Sequence, residues 1–91
     1  MTTETTAQGW TVYMVQCSDG TLYTGITNDL GRRLDQHNNG DGAKYTRARR
    51  PVRLVYREEA ADKSAALRRE IALKRLSSIQ KRRLITAGTT T

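Results

Sequence analysis

The run from Tyr23 to His37, YTGITNDLGRRLDQH, narrows most sharply what this chain can fold into. Its first residues are strand formers. Thr27, Asn28 and Asp29 then supply capping oxygens, and Leu30 with Leu34 begins an apolar stripe at helical spacing. A strand therefore turns tightly into a helix. On that helix Arg33 and His37 lie four residues apart and share a face. A tyrosine at a strand end, a guanidinium and an imidazole would converge on one small volume, and these are groups that handle a phosphodiester. Gly25 interrupts the strand, which weakens it unless a backbone or a ligand must come close. Beside Tyr23, the expected visitor is a phosphate.

Residues 10–17, WTVYMVQC, and 21–27, TLYTGIT, read as two strands rich in β-branched and aromatic residues. Ser18-Asp19-Gly20 between them fits a three-residue hairpin loop whose glycine takes the left-handed conformation. Cys17 then pairs with Thr21 and Val15 lies opposite Tyr23, which puts Tyr13 and Tyr23 on one face as diagonal neighbours. A two-residue loop would instead send the two rings to opposite faces. After the helix, which is expected to stop at Asn38-Asn39-Gly40, residues 38–51 read as a loop ending at Pro51. Its segment Lys44-Tyr45-Thr46-Arg47-Ala48-Arg49-Arg50 interleaves one aromatic with four cations. That mixture suits a nucleic-acid strand, with Lys44, Arg47, Arg49 and Arg50 meeting phosphates and Tyr45 stacking on a base. A solvated basic loop that contacts nothing is the plain alternative.

Val52 to Arg57 alternates apolar and basic residues and predicts a third strand. A helix is expected from about Asp62, with Lys63, Leu67, Glu70, Ile71 and Lys74 on one face. Leu67 and Ile71 would anchor that face in the core, leaving Glu70 at the edge of buried space. Ser77-Ser78-Ile79-Gln80 has the capping-box form and opens a last helix from Ile79 to about Ala87, with Gly88 as its terminator. The polar, Thr-rich ends, residues 1–8 and 88–91, read as frayed tails around one domain spanning 9–87.

Sixteen Lys and Arg against nine Asp and Glu give a net charge of +7, and a basic surface attracts polyanions. Cys17 is the sole cysteine; it cannot form an internal disulfide, and no Cys/His cluster suggests zinc. No apolar run approaches the length of a membrane span and no signal peptide is evident, so the expected location is the cytoplasm, with no membrane partner. A Gly-rich phosphate loop is missing, which leaves a nucleotide cofactor without support.

The ordered set TVY (Thr11 to Tyr13), YTG (Tyr23 to Gly25), Arg33, His37 and Glu70 resembles the GIY-YIG nuclease superfamily. More narrowly it looks like the small stand-alone bacterial GIY-YIG proteins of unassigned function. The resemblance covers residues 9–86 or so and departs at two points: Thr11 replaces the glycine of the first motif, and Thr24 the isoleucine of the second. It implies an α+β fold, a three-stranded antiparallel sheet flanked by helices in the order ββαβαα. It also implies metal-dependent hydrolysis of phosphodiester bonds in DNA, with DNA favoured over RNA as the partner. In that scheme Glu70 is the protein ligand of one Mg2+ or Mn2+, a cation that keeps most of its waters. Tyr13 takes the proton from the attacking water and Tyr23 orients the water or the phosphate. Arg33 neutralises charge in the transition state, and His37 positions water or relays the proton.

Two other readings compete with the nuclease: a catalytically weak or inactive nucleic-acid-binding module, and a basic scaffold for a protein partner. Residue by residue there are plainer readings too. Each tyrosine could be an ordinary strand aromatic, Arg33 and His37 solvated helix residues, and Glu70 the i, i+4 partner of Lys74.

Overall fold

A computed structural model describes residues 9–89; the expected tail at 1–8 and the last two residues lie outside that range. Strand β1 (Trp10–Gln16) and strand β2 (Leu22–Thr27) form the hairpin, followed by helix α1 (Leu30–Asn39) and a single helical turn α2 (Lys44–Arg47). Strand β3 (Arg53–Ala60), helix α3 (Lys63–Lys74) and helix α4 (Ser78–Thr89) complete the chain. The sheet is antiparallel in the order β2-β1-β3, so the architecture is the expected one with α2 added.

The hairpin connection is the three-residue loop. The Cys17 amide donates to the Thr21 carbonyl at 2.8 Å, Gly20 sits at φ +86°, and the Asp19 carboxylate accepts from both the Thr21 amide and its hydroxyl. Register follows from it: Val15 pairs with Tyr23 and Tyr13 with Gly25. Every odd position of β1 consequently turns one way. Tyr13, Val15 and Cys17 form a core with Val52, against which Tyr23, Leu30, Leu34 and Leu54 pack. Val12 turns the other way, into a second core with Ala66 and Leu73. A sheet buried on both faces explains why β1 lacks a polar side over its middle five residues.

The Tyr13–Gly25 pair corrects the expected role of that glycine. A Cβ on Gly25 would stand 2.6 Å from the Tyr13 hydroxyl oxygen and 2.8 Å from the ring carbon bearing it. The space above Gly25 belongs to the phenol of the neighbouring strand, not to an incoming phosphate.

Strand β3 continues beyond Arg57 through Glu58 and Glu59. As an edge strand it tolerates charge, and each acid has a cation: Arg69 Nε meets Glu58 at 2.6 Å and Arg57 meets Glu59 at 2.6 Å. The pairing with β1 shifts by one residue between Met14 and Val15, a bulge. Between α1 and β3, the Asn38 side chain accepts from the Val52 amide at 2.8 Å and donates to its carbonyl at 3.1 Å. That clamp fixes where the third strand begins.

Helix α3 starts where expected, with Asp62 accepting from the Ala65 amide, but it packs on another face. Leu67 and Ile71 are 41% and 52% exposed, whereas Ala66 and Leu73 are buried. Apolar residues occur at 65–67 and again at 71–73, all around the helix, so their spacing does not select a side. The small Ala66 lets the helix approach β1 and β2 closely, and that contact decides it. Glu70 shares this buried face at i+4 from Ala66, although Leu67 and Ile71 do not bring it there. The Ser77–Gln80 capping box forms reciprocally, at 3.1 and 2.9 Å, and α4 runs past Gly88 to Thr89. An interior glycine costs a helix only about 1 kcal/mol relative to alanine.

These packing relations predict opposite outcomes for two alanine substitutions. Gly25→Ala should destabilise the protein by about 1–3 kcal/mol, because the buried phenol cannot retreat. Gly31→Ala, on α1 with nothing within 4 Å of a new Cβ, should stabilise it by about 0.4–1 kcal/mol. Equilibrium denaturation in urea measures both, and equal effects would refute the packing argument.

Candidate active site

The site is built on the α1 face of the sheet. Tyr13 projects from the central strand and Tyr23 from β2, while His37 comes from the last turn of α1, held by the Gly40 cap at φ +88°. The Tyr13 hydroxyl and His37 Nε2 are 2.9 Å apart, and neither residue is more than 1% exposed. The Tyr23 ring meets the imidazole edge-on, centroid to centroid 5.4 Å. Two phenols and the imidazole are thus in direct contact, as the hairpin register requires.

Arg33, one turn before His37, lines a depression of about 290 Å³ together with Trp10, Ile26, Thr27, Asn28, Asp29, Arg32 and Gln36. Its Nη1 donates to Gln36 Oε1 at 3.0 Å, and its positive charge bears on the Tyr13 phenol. Burial pushes the Tyr13 phenol above its ordinary range; Arg33 pulls it back in part, and the Glu70 charge pushes it up again. His37 is moved the other way. Burial first, and the Arg33 charge second, hold it below its usual value, so the imidazole is neutral near pH 7.

Glu70 reaches the site differently. It rises from α3, which covers the opposite face of the sheet; its side chain is 17% exposed and its carboxylate is bound to Lys74 at 3.2 Å. Its charge is felt at the Tyr13 phenol. Tyr13, Tyr23 and His37 are therefore in contact, Arg33 stands one helical turn from His37 and lines the depression, and Glu70 stands apart with a salt bridge of its own. Among the described residues no three His, Cys, Asp or Glu side chains gather as a metal cage. A lone carboxylate suits a hydrated, hard divalent cation such as Mg2+ and does not suit zinc. The Lys74 ammonium, 53% exposed, is a partner that such a cation could displace.

The basic segment divides. Lys44 and Arg47 stand exposed on α2. Arg49 instead donates to Asp19 at 3.1 Å and to the Tyr45 carbonyl at 2.8 Å, and its guanidinium sits 4.0 Å from the Tyr45 ring centre. Tyr45 also stacks on Tyr23 at 5.9 Å, so its ring is engaged from within the protein. Arg50 donates to the carbonyls of Arg47 and Asn38. In this structure Arg49, Arg50 and Tyr45 hold the loop onto the site.

Two participants gave no signal in the sequence. Thr46, fully buried, places its hydroxyl 2.8 Å from His37 Nδ1 and donates to the Ala43 carbonyl at 3.0 Å. Gly42 lies directly on the imidazole, where a Cβ would collide with Nδ1 and with the His37 Cα. Both stand in a stretch that reads as loop, and what marks them is contact with a residue several positions earlier.

Comparison with known proteins agrees with this geometry. Residues 9–83 match the GIY-YIG catalytic domain. A UPF0213 protein of Desulfotalea psychrophila is 56% identical over 86 residues, covering 93% of this chain and 78% of that protein. A UPF0213 protein of Halobacterium salinarum is 56% identical over 73 residues, covering 80% of this chain and 95% of that one. Among solved structures, the solution NMR structure of a UPF0213 protein from Bacillus halodurans superposes with a TM-score of 0.58 at 42% identity, covering 90% of this chain and 88% of the other. Family match, close relatives and shared fold agree: this chain belongs to the GIY-YIG catalytic domain family, a nuclease family.

Proposed function

We propose that this protein is a metal-dependent endonuclease that hydrolyses phosphodiester bonds in DNA. The observation that carries the proposal is the buried 2.9 Å contact between the Tyr13 hydroxyl and His37 Nε2, with Arg33 one helical turn before His37 on the same helix. A tyrosine is a poor base at neutral pH, and burial makes Tyr13 poorer still. It need not become a phenolate. As water attacks phosphorus, the phenol oxygen accepts the water's proton while its own proton passes to neutral His37 Nε2. The bond from phosphorus to the leaving oxygen breaks as the new one forms. His37, kept unprotonated by burial and by Arg33, is thus the acceptor at the end of the relay.

Arg33 stands at the rim of the 290 Å³ depression, where its charge would offset the negative charge that builds on the phosphoryl oxygens. Such stabilisation is the larger part of phosphoryl-transfer catalysis. Tyr23, wedged between His37 and Tyr45, holds the imidazole edge in place and fixes one wall of the site. Glu70 is the residue that would hold the divalent cation, Mg2+ or Mn2+, which when bound supplies Lewis-acid stabilisation of the scissile phosphate. Lys44 and Arg47, with the net charge of +7, support DNA as the partner. No helix among the described residues is long and apolar enough to cross a membrane, and we assign the activity to the cytoplasm.

Purified protein with Mg2+ or Mn2+ should nick supercoiled or branched DNA, and EDTA should abolish the nicking. Arg33→Ala and Glu70→Ala should each lower the rate about 100-fold or more, the size expected for loss of a transition-state charge partner. Intact DNA of every form, or cleavage indifferent to both substitutions, would reject the nuclease. DNA binding that weakens steeply with salt but never leads to cleavage would then identify a binding module.

The neutral imidazole also has a thermodynamic signature. The unfolded chain takes up a proton at His37 near the ordinary value of 6.5, and the folded chain only at lower pH. The unfolded state therefore binds more protons in that window, and stability falls as pH drops below about 6.5. Urea titrations between pH 7.5 and 5 should show this decline, and His37→Gln should flatten it. Asp19, whose carboxyl is depressed by its bonds to Thr21, acts in a separate window below its ordinary 3.8.

A further inference from the structure

Proton accounting around His37 gives Thr46 a task of its own. The Thr46 hydroxyl has one hydrogen. It points at the Ala43 carbonyl, 3.0 Å away, and a carbonyl can only accept. Toward His37 Nδ1, 2.8 Å away, the Thr46 oxygen is left to act as acceptor. With the hydroxyl hydrogen on that carbonyl, which also accepts the Thr46 and Arg47 amides at 3.1 Å each, Nδ1 is the nitrogen that carries the imidazole proton. In a neutral ring Nε2 is then a bare lone pair, facing the Tyr13 hydroxyl at 2.9 Å. In the opposite tautomer the Thr46 hydroxyl would have to leave the Ala43 carbonyl to its two amide donors and turn to Nδ1, and Nε2–H would face the phenol.

Neither ring nitrogen can turn to water for a substitute partner, because His37 and Thr46 are both 0% exposed. The geometry around the pair is also tight. Gly42 lies against Nδ1 with no room for a Cβ, and the Arg47 amide closes the turn on the same Ala43 carbonyl at 3.1 Å. The imidazole is thus held at both nitrogens and packed by Tyr13 and Tyr23 along its edges.

We infer that Thr46 is a positioning residue that locks His37 in the Nδ1–H tautomer and so keeps Nε2 open to receive the Tyr13 proton. Its value to the reaction rests on the nuclease reading above, whereas the lock itself does not. The third member of a Tyr–His relay is here a threonine hydroxyl that borrows its orientation from a backbone carbonyl. It directs the proton without bearing charge, as a carboxylate would.

The chain contains one histidine, so the tautomer can be read without assignment ambiguity. In uniformly 15N-labelled protein at pH 7.5, long-range 1H–15N correlation should show the Nδ1–H form as the dominant species of His37. In Thr46→Ser the same form should persist, because the hydroxyl and its geometry are kept. In Thr46→Val, isosteric but without an acceptor, the Nδ1–H signature should weaken or give way to Nε2–H. Nε2–H in the wild-type protein would overturn the inference, as would an unchanged tautomer in Thr46→Val. Should Thr46→Val fail to fold, the wild-type and Thr46→Ser spectra still decide. On DNA, Thr46→Val should lower kcat by about tenfold or more with little change in KM, and Thr46→Ser should restore it, as expected when a misplaced tautomer disables a relay. Equal rates in wild type and Thr46→Val would overturn the role in the reaction. A protein that cuts no DNA yet shows the tautomer switch would refute the nuclease and leave the lock standing.

Discussion

The arrangement of this domain depends on one phenol lying across one glycine. Tyr13 on the central strand fills the space that a side chain at Gly25 would take, and from there its hydroxyl reaches His37 on α1. An aromatic ring over a cross-strand glycine restores the packing that the glycine forfeits. Here the same ring also carries the hydroxyl that meets His37. Core packing and the candidate site thus share an atom group, and the loop of Ser18, Asp19 and Gly20 governs both by setting the register.

Much of this was legible in the sequence because it follows from local rules. The loop length fixed Val15 opposite Tyr23, the i, i+4 relation placed Arg33 and His37 on one face, and Asp29, Asp62 and the Ser77–Gln80 pair mark helix starts through short-range hydrogen bonds. What the sequence hides depends on partners far along the chain. Gly25 suggests room for a phosphate, but its visitor belongs to the neighbouring strand. Apolar residues all around α3 offer no unique stripe, so Leu67 and Ile71 look like core, and the small Ala66 settles the face only through contact with the sheet. Two glutamates look like a strand stop until Arg57 and Arg69 are seen beside them.

The basic segment shows how composition can overstate availability. Its residues suggest an open surface for nucleic acid, and Arg49 and Arg50 each commit part of their five N–H donors to Asp19 or to backbone carbonyls. Charge paired this way still contributes to the long-range field that draws a polyanion in. Lys44 and Arg47 stand exposed on α2 with no such bond among those described.

That turn of four residues faces two ways. Outward it presents Lys44 and Arg47, while inward its Tyr45 rests on Tyr23 and its Thr46 on His37. A pull on the outer pair would load the same short lever whose inner arm grips the imidazole, so that the exposed side of the turn and the buried ring are mechanically joined within a single helical turn.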